Sequence, residues 1–228
     1  MDLKTKVINS TAEFIYSSEL RLAFDKIKSG VAAVPLNSIL PSEIVSEIRK
    51  NLIQESEWKR EFWSLDDDKN VGLVSEDSFL NSPEDRKFSN NESLRKISES
   101  SAALIGLLSV MRSKKVEEYF TEIYGENINF CTADIARYTK GQYLRRHSDL
   151  FQNRKFGIVS FFNEEWIEGN GNEFIIEGIG GDSYVIPPKP GTAVLLNISP
   201  GYQHQVAMSL SSNWARYSVA NHYNNPLP

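Results

Sequence analysis

Three histidines and one arginine carry the chemistry available to this sequence. His147 stands in a His-x-Asp triplet with Asp149, and His204 and then Arg216 follow toward the C-terminus. Side chains alternate across a strand, so His147 and Asp149, two residues apart, would point to one face. A second imidazole from a distant strand, His204, would complete two nitrogen donors and one carboxylate on one side of a metal. Such a facial set leaves three positions open and is the preferred setting for a non-haem Fe(II) ion that handles O2. The triplet alone is weak, because 30 of 228 residues are acidic, and it reads equally as a strand histidine bonded to a neighbouring acid. Its weight comes from its company: a second His, a cation for an acidic cosubstrate, and β structure throughout.

The segments that must hold these residues read as strands. Cys131–Tyr143 alternates before a Lys-Gly break and resumes through Asp149. Phe156–Phe162 is an apolar run of strand length, Gly169–Asn172 is a turn cluster, and Glu173–Glu177 resumes as a strand. Tyr184–Ile186, the rigid Pro187–Gly191 segment and Thr192–Ile198 read as strand, turn, strand. Gln203–Met208 and Arg216–Tyr223 close the series, with Leu210–Asn213 as an enlarged hairpin turn between them. Short strands at this spacing predict a double-sheet jelly roll or barrel with the triad in its mouth.

The first half reads as a helical prelude. Ser10-x-x-Glu13 is a capping box opening a helix over Ala12–Lys28 with an imperfect apolar stripe. Pro41 opens a helix over Ser42–Ile53, with Ile44, Ile48 and Leu52 at helical spacing. Glu55–Leu65 is expected as an edge strand, and the polar Asp66–Asn91 as a long surface loop, mobile until it covers the barrel mouth as a lid. Ser89-x-x-Glu92 is expected to begin a helix over Ser93–Met111, followed by another over about Val116–Tyr124 that stops near Gly125. These helices are expected to buttress one sheet.

Bulk properties narrow the class. The chain of 228 residues, 40% hydrophobic and 24% charged, is expected to form one domain over 1–228, with 1–127 mainly helical and 128–224 the jelly-roll core. The fold class is α+β with a mainly β core, a double-stranded β-helix. A net charge of −5 argues against a nucleic-acid partner. No apolar run approaches the ~18 residues of a membrane helix. The first residues, Met-Asp-Leu-Lys-Thr-Lys, lack a signal core, and the single Cys131 suits a reducing cytoplasm as a small apolar strand residue.

Several motifs recur in a fixed order: Arg137-Tyr138-x-x-Gly141 leading to His147-x-Asp149, Phe161-Phe162-Asn163-x-x-Trp166, Gly171-Asn172-Glu173-Phe174, Pro187 to Gly191, His204-Gln-Val206, and Arg216-Tyr-Ser218-Val219. Together they resemble the prolyl 4-hydroxylase-like branch of the 2-oxoglutarate/Fe(II)-dependent dioxygenases over 128–224. Val34–Glu43 is similar to the segment that opens these domains. Three departures stand out: Gly-Asn-Glu replaces the family's Gly-Gly-Glu, Ser160-Phe161-Phe162 lacks a second phenol, and the His-to-Arg spacing is long.

The resemblance implies Fe(II) held by His147, Asp149 and His204, with 2-oxoglutarate and O2 as cosubstrates and succinate and CO2 as co-products. The buried cosubstrate carboxylate needs a partner, and Arg216 can meet it with a planar fork, with nothing else basic expected in the pocket. Ser218 shares that strand face, and Tyr138 is expected to donate from the opposite wall. His222 shares the face too, so it is expected to line the site without ligating and to contact substrate or the 2-oxo acid; otherwise it is a strand-end histidine bonded to the Asn221–Asn225 tail. The implied reaction is hydroxylation of an unactivated C–H in a small molecule or a peptidyl residue, with a small molecule slightly favoured. A cupin-type oxygenase or isomerase without 2-oxoglutarate, or a non-catalytic jelly-roll interaction domain, are the alternatives. A halogenase is disfavoured because Asp149 fills the position chloride would need.

Overall fold

The largely apolar run of 156–162 has its cause in the fold: it lies at the centre of a sheet that is covered on both faces. The computed structural model describes residues 2–179, 181 and 183–226. Helices α1 (Leu3–Ile15) and α2 (Ser18–Lys28) are followed by β1 (Ala33–Leu36), α3 (Ser42–Gln54), β2 (Trp58–Arg60) and β3 (Phe62–Leu65). Then come β4 (Val71–Val74), α4 (Glu76–Asn81), a 3-10 turn, β5 (Lys87–Ser89), β6 (Glu92–Leu94), α5 (Ala102–Met111) and α6 (Lys114–Tyr124). The remainder is β7 (Asn129–Tyr138), β8 (Leu144–His147), β9 (Arg154–Phe161), β10 (Phe174–Glu177), β11 (Ser183–Ile186), β12 (Ala193–Asn197), β13 (Gln203–Val206) and β14 (Arg216–Asn224).

The strands form two seven-stranded sheets, ordered β1-β12-β9-β14-β7-β6-β2 and β11-β10-β13-β8-β5-β3-β4. Pairing is antiparallel, and the fold is a double-stranded β-helix with buttressing helices. One core packs Phe24 of α2 and Phe120 of α6 against Phe156 of β9 and Tyr223 of β14. The other lies between the sheets, with Val159, Val194 and Leu196 facing Phe174, Ile176 and Val206. Strand β9 is therefore apolar on both faces, as strands covered on both sides are. Among the described residues no helix is long and apolar enough to cross a membrane.

The N-terminal half departs from its expected layout. The single helix Ala12–Lys28 is two helices, because buried Val7, Thr11 and Ile15 keep one phase and Leu20, Ala23, Phe24 and Ile27 another. The stripe slips at the break, and the caps are Asp2 and Ser17, whose side chains accept from Thr5 N and Leu20 N, while Ser10 lies inside α1. Pro41 stands at the N-cap of α3 without a side-chain bond. The expected edge strand Glu55–Leu65 is β2 and β3, which belong to different sheets.

Asp66–Asn91 is not a loop. It holds β4, α4 and β5, and β5 pairs with the His147 strand through Ser89 and Leu144, so it extends the second sheet. Its strands are too short to print a period on the sequence. The helix expected from Ser93 begins at Ala102, because 92–94 is drawn into the first sheet as β6. Its first amides, Ala103 and Leu104, are met by Asn51 Oδ1 at 3.0 and 3.2 Å. The expected hairpin turn at Leu210–Asn213 is a crossing segment, since β13 and β14 lie in different sheets. Helix α6 ends at Gly125, at φ 88°, as expected.

Candidate metal centre

The two imidazoles are brought together by strand register. β13 pairs with β8 so that His204 stands directly opposite His147, with ring centroids 4.2 Å apart. His147 Nδ1–H donates to the Arg145 carbonyl at 2.8 Å, which leaves its Nε2 lone pair facing inward. The expectation that Asp149 shares a strand face with His147 needs correcting: β8 ends at His147, and Asp149 lies in the turn beyond it, where Phe151 N bonds its carbonyl at 2.7 Å. The turn nevertheless swings the carboxylate inward. Oδ1 is 3.4 Å from His147 Nε2 and Oδ2 is 3.5 Å from His204 Nε2. One donor atom from each of the three residues lies within 4.8 Å of the others.

The electrostatics suit a divalent cation. Burial, then the neighbouring His147, push His204 down to about 3, so it is neutral and its nitrogen is free to ligate. Burial alone would raise the Asp149 pKa, but the surrounding imidazoles of His147, His222 and His204 outweigh it and hold the group well below the usual carboxylate range. Two imidazole nitrogens and a carboxylate are the donor chemistry of a mononuclear Fe(II) site. The residues present fit that ion.

At the closed end of the same cavity, of about 170 Å³, stands Arg216. It opens β14 and is 1% exposed. Its guanidinium carbon lies 5.3, 4.9 and 5.5 Å from the ring centres of Tyr138, Phe161 and Phe174. Nη1 donates to the Asn172 carbonyl at 3.3 Å, and Nε is buried with no partner. No carboxylate pairs with it among the described residues, and burial lowers it to about 10. Tyr138 is not on the opposite wall. It is the cross-strand neighbour of Arg216 in the β7–β14 pair, and burial pushes its phenol up to about 12.

Ser218, Ala220 and His222 continue the Arg216 face of β14 along the cavity. His222 lies between two acids, with Nε2 3.2 Å from Asp149 Oδ2 and Nδ1 3.2 Å from Asp134 Oδ2. Burial would lower its pKa, but these two carboxylates outweigh it and raise it. Gly171-Asn172 carries the turn at the Arg216 end. A Cβ on Gly171 would lie 2.0 Å from the Met208 carbonyl oxygen, so only glycine fits there. Asn172 adopts φ 65°, a left-handed conformation that asparagine tolerates.

Two residues of the cavity were missed from sequence. Arg154 is a second buried cation, which corrects the expectation of a single basic residue. Its Nη2 donates to Thr132 Oγ1 at 2.8 Å, and its nitrogens lie 3.8 Å from Asp134 and 3.9 Å from Asp149. Asp134 was legible, since it shares the β7 face of Ala136 and Tyr138. Arg154 was not: the register shifts between Tyr223 and Asn224, so parity counted back from Val159 puts it on the wrong face. Cys131 lies in β7, half-buried, and donates to Gln152 Oε1 at 3.2 Å.

A jelly roll with two imidazoles and a carboxylate above a buried arginine defines a class, that of the non-haem iron oxygenases. Residues 133–224 match the family model of the 2OG-Fe(II) oxygenase superfamily. This match and the triad together indicate a 2-oxoglutarate-dependent oxygenase, a class whose chemistry uses Fe(II), 2-oxoglutarate and O2. No curated protein matches the chain in sequence.

The fold is that of the prolyl hydroxylases. A prolyl-4-hydroxylase from Pseudomonas putida aligns with TM-score 0.64 and 16% identity over 91% of this chain and 100% of its own. A prolyl hydroxylase from Trichoplax adhaerens, in complex with a hypoxia inducible factor oxygen degradation domain peptide fragment, aligns with TM-score 0.65 and 16% identity over 90% of this chain and 89% of its own. The α-ketoglutarate dependent epimerase SnoN from nogalamycin biosynthesis aligns with TM-score 0.58 and 10% identity over 90% of this chain and 80% of its own.

Proposed function

We propose that the chain is one oxygenase domain that hydroxylates an unactivated C–H of a small molecule or a peptidyl residue, converting 2-oxoglutarate and O2 to succinate and CO2. One oxygen atom enters the substrate and the other the succinate, so the oxidation balances. The observation that carries this reading is Arg216: a guanidinium buried among aromatic rings, without an acid, a few side chains from a metal-binding set. A buried charge is costly unless paired, and a dicarboxylate cosubstrate supplies the missing partner.

His147, Asp149 and His204 would hold Fe(II), which when bound supplies O2 activation coupled to decarboxylation of the 2-oxo acid. Arg216 receives the distal carboxylate of 2-oxoglutarate with its planar fork. Ser218, two residues along the same face, donates to that carboxylate, and Tyr138 donates from beside Arg216. The apolar walls, Val159, Phe174, Leu196 and Val206, exclude water from the cosubstrate. His222 stands toward the other end and bounds the substrate by shape, since both its nitrogens already face carboxylates. A peptidyl substrate is supported by the peptide on the Trichoplax neighbour. A cupin-type reaction without 2-oxoglutarate would leave Arg216 without a partner.

The test is succinate formation by the iron-loaded protein against a library of metabolites and peptides, with mass-spectrometric detection of one added oxygen. Substrate turnover that proceeds equally well without 2-oxoglutarate would reject the reading.

A further inference from the structure

Beside the residues that meet iron and cosubstrate, the buried side chains of His222 and Arg154 meet Asp134, whose carboxylate is about half exposed. The His222 ring is held at both nitrogens, 3.2 Å from Asp134 on one side and 3.2 Å from Asp149 on the other. Room for the ring is provided by Gly157, its cross-strand partner on β9. A Cβ at 157 would lie 3.1 Å from the His222 Cδ2, so the missing side chain makes the space that the imidazole fills. Arg154, anchored on Thr132, backs Asp134 and approaches the other oxygen of Asp149, Oδ1, at 3.9 Å.

Asp149 has special need of such support. It lies beyond the end of β8, so no strand pleat fixes its carboxylate. A free carboxylate can rotate and coordinate through both oxygens. That would take one of the three positions that a bidentate 2-oxo acid and O2 require.

On the reading that this triad holds Fe(II), we propose that His222 is a positioning residue: steadied by Asp134, it donates to Oδ2 of Asp149 and leaves Oδ1 to the metal, so that the carboxylate binds through one oxygen. Outer partners of this kind orient metal ligands, and their loss typically weakens metal binding or activity roughly 10–100-fold.

Anaerobic Fe(II) titration of the full chain tests the role with His222→Leu, His222→Gln and Gly157→Ala. The leucine variant should bind Fe(II) roughly 10–100-fold more weakly. The glutamine variant keeps a donor for the same oxygen and should recover most of that loss. Gly157→Ala displaces the ring without removing a donor and should fall between them, and it decides the matter if the leucine variant does not fold. The weak visible band that 2-oxoglutarate gives on Fe(II) should shift in the leucine variant and return in the glutamine variant, with the KM for 2-oxoglutarate changed far less than the metal constant. Wild-type iron affinity in His222→Leu, or a glutamine variant as weak as leucine, overturns the positioning role. A wild-type protein that binds no Fe(II) overturns the metal reading itself, a result distinct from failure of His222 alone.

Discussion

At the closed end of the cavity Arg216 is buried among three aromatic rings with no acid beside it, whereas at the other end every buried charge faces a counter-charge: His222 meets Asp134 and Asp149, and Arg154 meets both acids. Both ends are served by one face of β14. A charge left without a partner specifies its ligand by what the protein withholds. A closed network specifies geometry, because its members have little freedom left. One end of the cavity is thus built to be completed and the other to hold still.

The contrast rests first on the triad. His147→Ala or His204→Ala should abolish Fe(II) binding and turnover while the circular dichroism spectrum is retained. Near-normal 2-oxoglutarate consumption by either variant would remove the metal centre from the comparison.

The open end is sharpened by Arg216→Met. Losing a charge-assisted partner of a buried carboxylate costs about 2–5 kcal/mol, so the KM for 2-oxoglutarate should rise roughly 30-fold or more. The ligand-free protein should melt at the same or a higher temperature, since replacing a buried charge by an apolar side chain is often neutral or stabilising by about 1–4 kcal/mol. A clear fall in the ligand-free melting temperature would mean that Arg216 is already satisfied without cosubstrate. The smallest effect belongs to Tyr138→Phe. It removes one hydroxyl beside Arg216, an interaction of about 1 kcal/mol, and should raise the KM for 2-oxoglutarate a few-fold with iron affinity unchanged. Unaltered cosubstrate kinetics would remove Tyr138 from the anchor.

The strands that carry this cavity were legible because their environment is regular. β9 is covered on both faces and reads as an apolar run, and the Pro187–Gly191 segment separates β11 from β12. The N-terminal half was less so. β2, β3, β5 and β6 are three or four residues each and owe their conformation to distant partners, so Glu92–Leu94 reads as the start of a helix that opens only at Ala102. In the cavity, parity along β14 leads from Arg216 to His222 and parity along β7 leads from Tyr138 to Asp134. Arg154 escapes the same rule because a bulge intervenes, and the position of Asp149 is a property of a turn, which parity does not describe.

The parity of β14 also governs how this protein can change over generations. Val219 and Tyr223 face the helices, and Arg216, Ser218, Ala220 and His222 face the cavity. One residue gained or lost at the start of the strand would exchange the two sets, sending a guanidinium toward the helical core and a tyrosine toward the metal. New specificities are therefore accessible here through replacement at alternate positions and closed to changes in length. Length can vary instead in the crossing segment around Leu210–Asn213, where exposed Leu210 marks a stretch that answers to neither sheet's register.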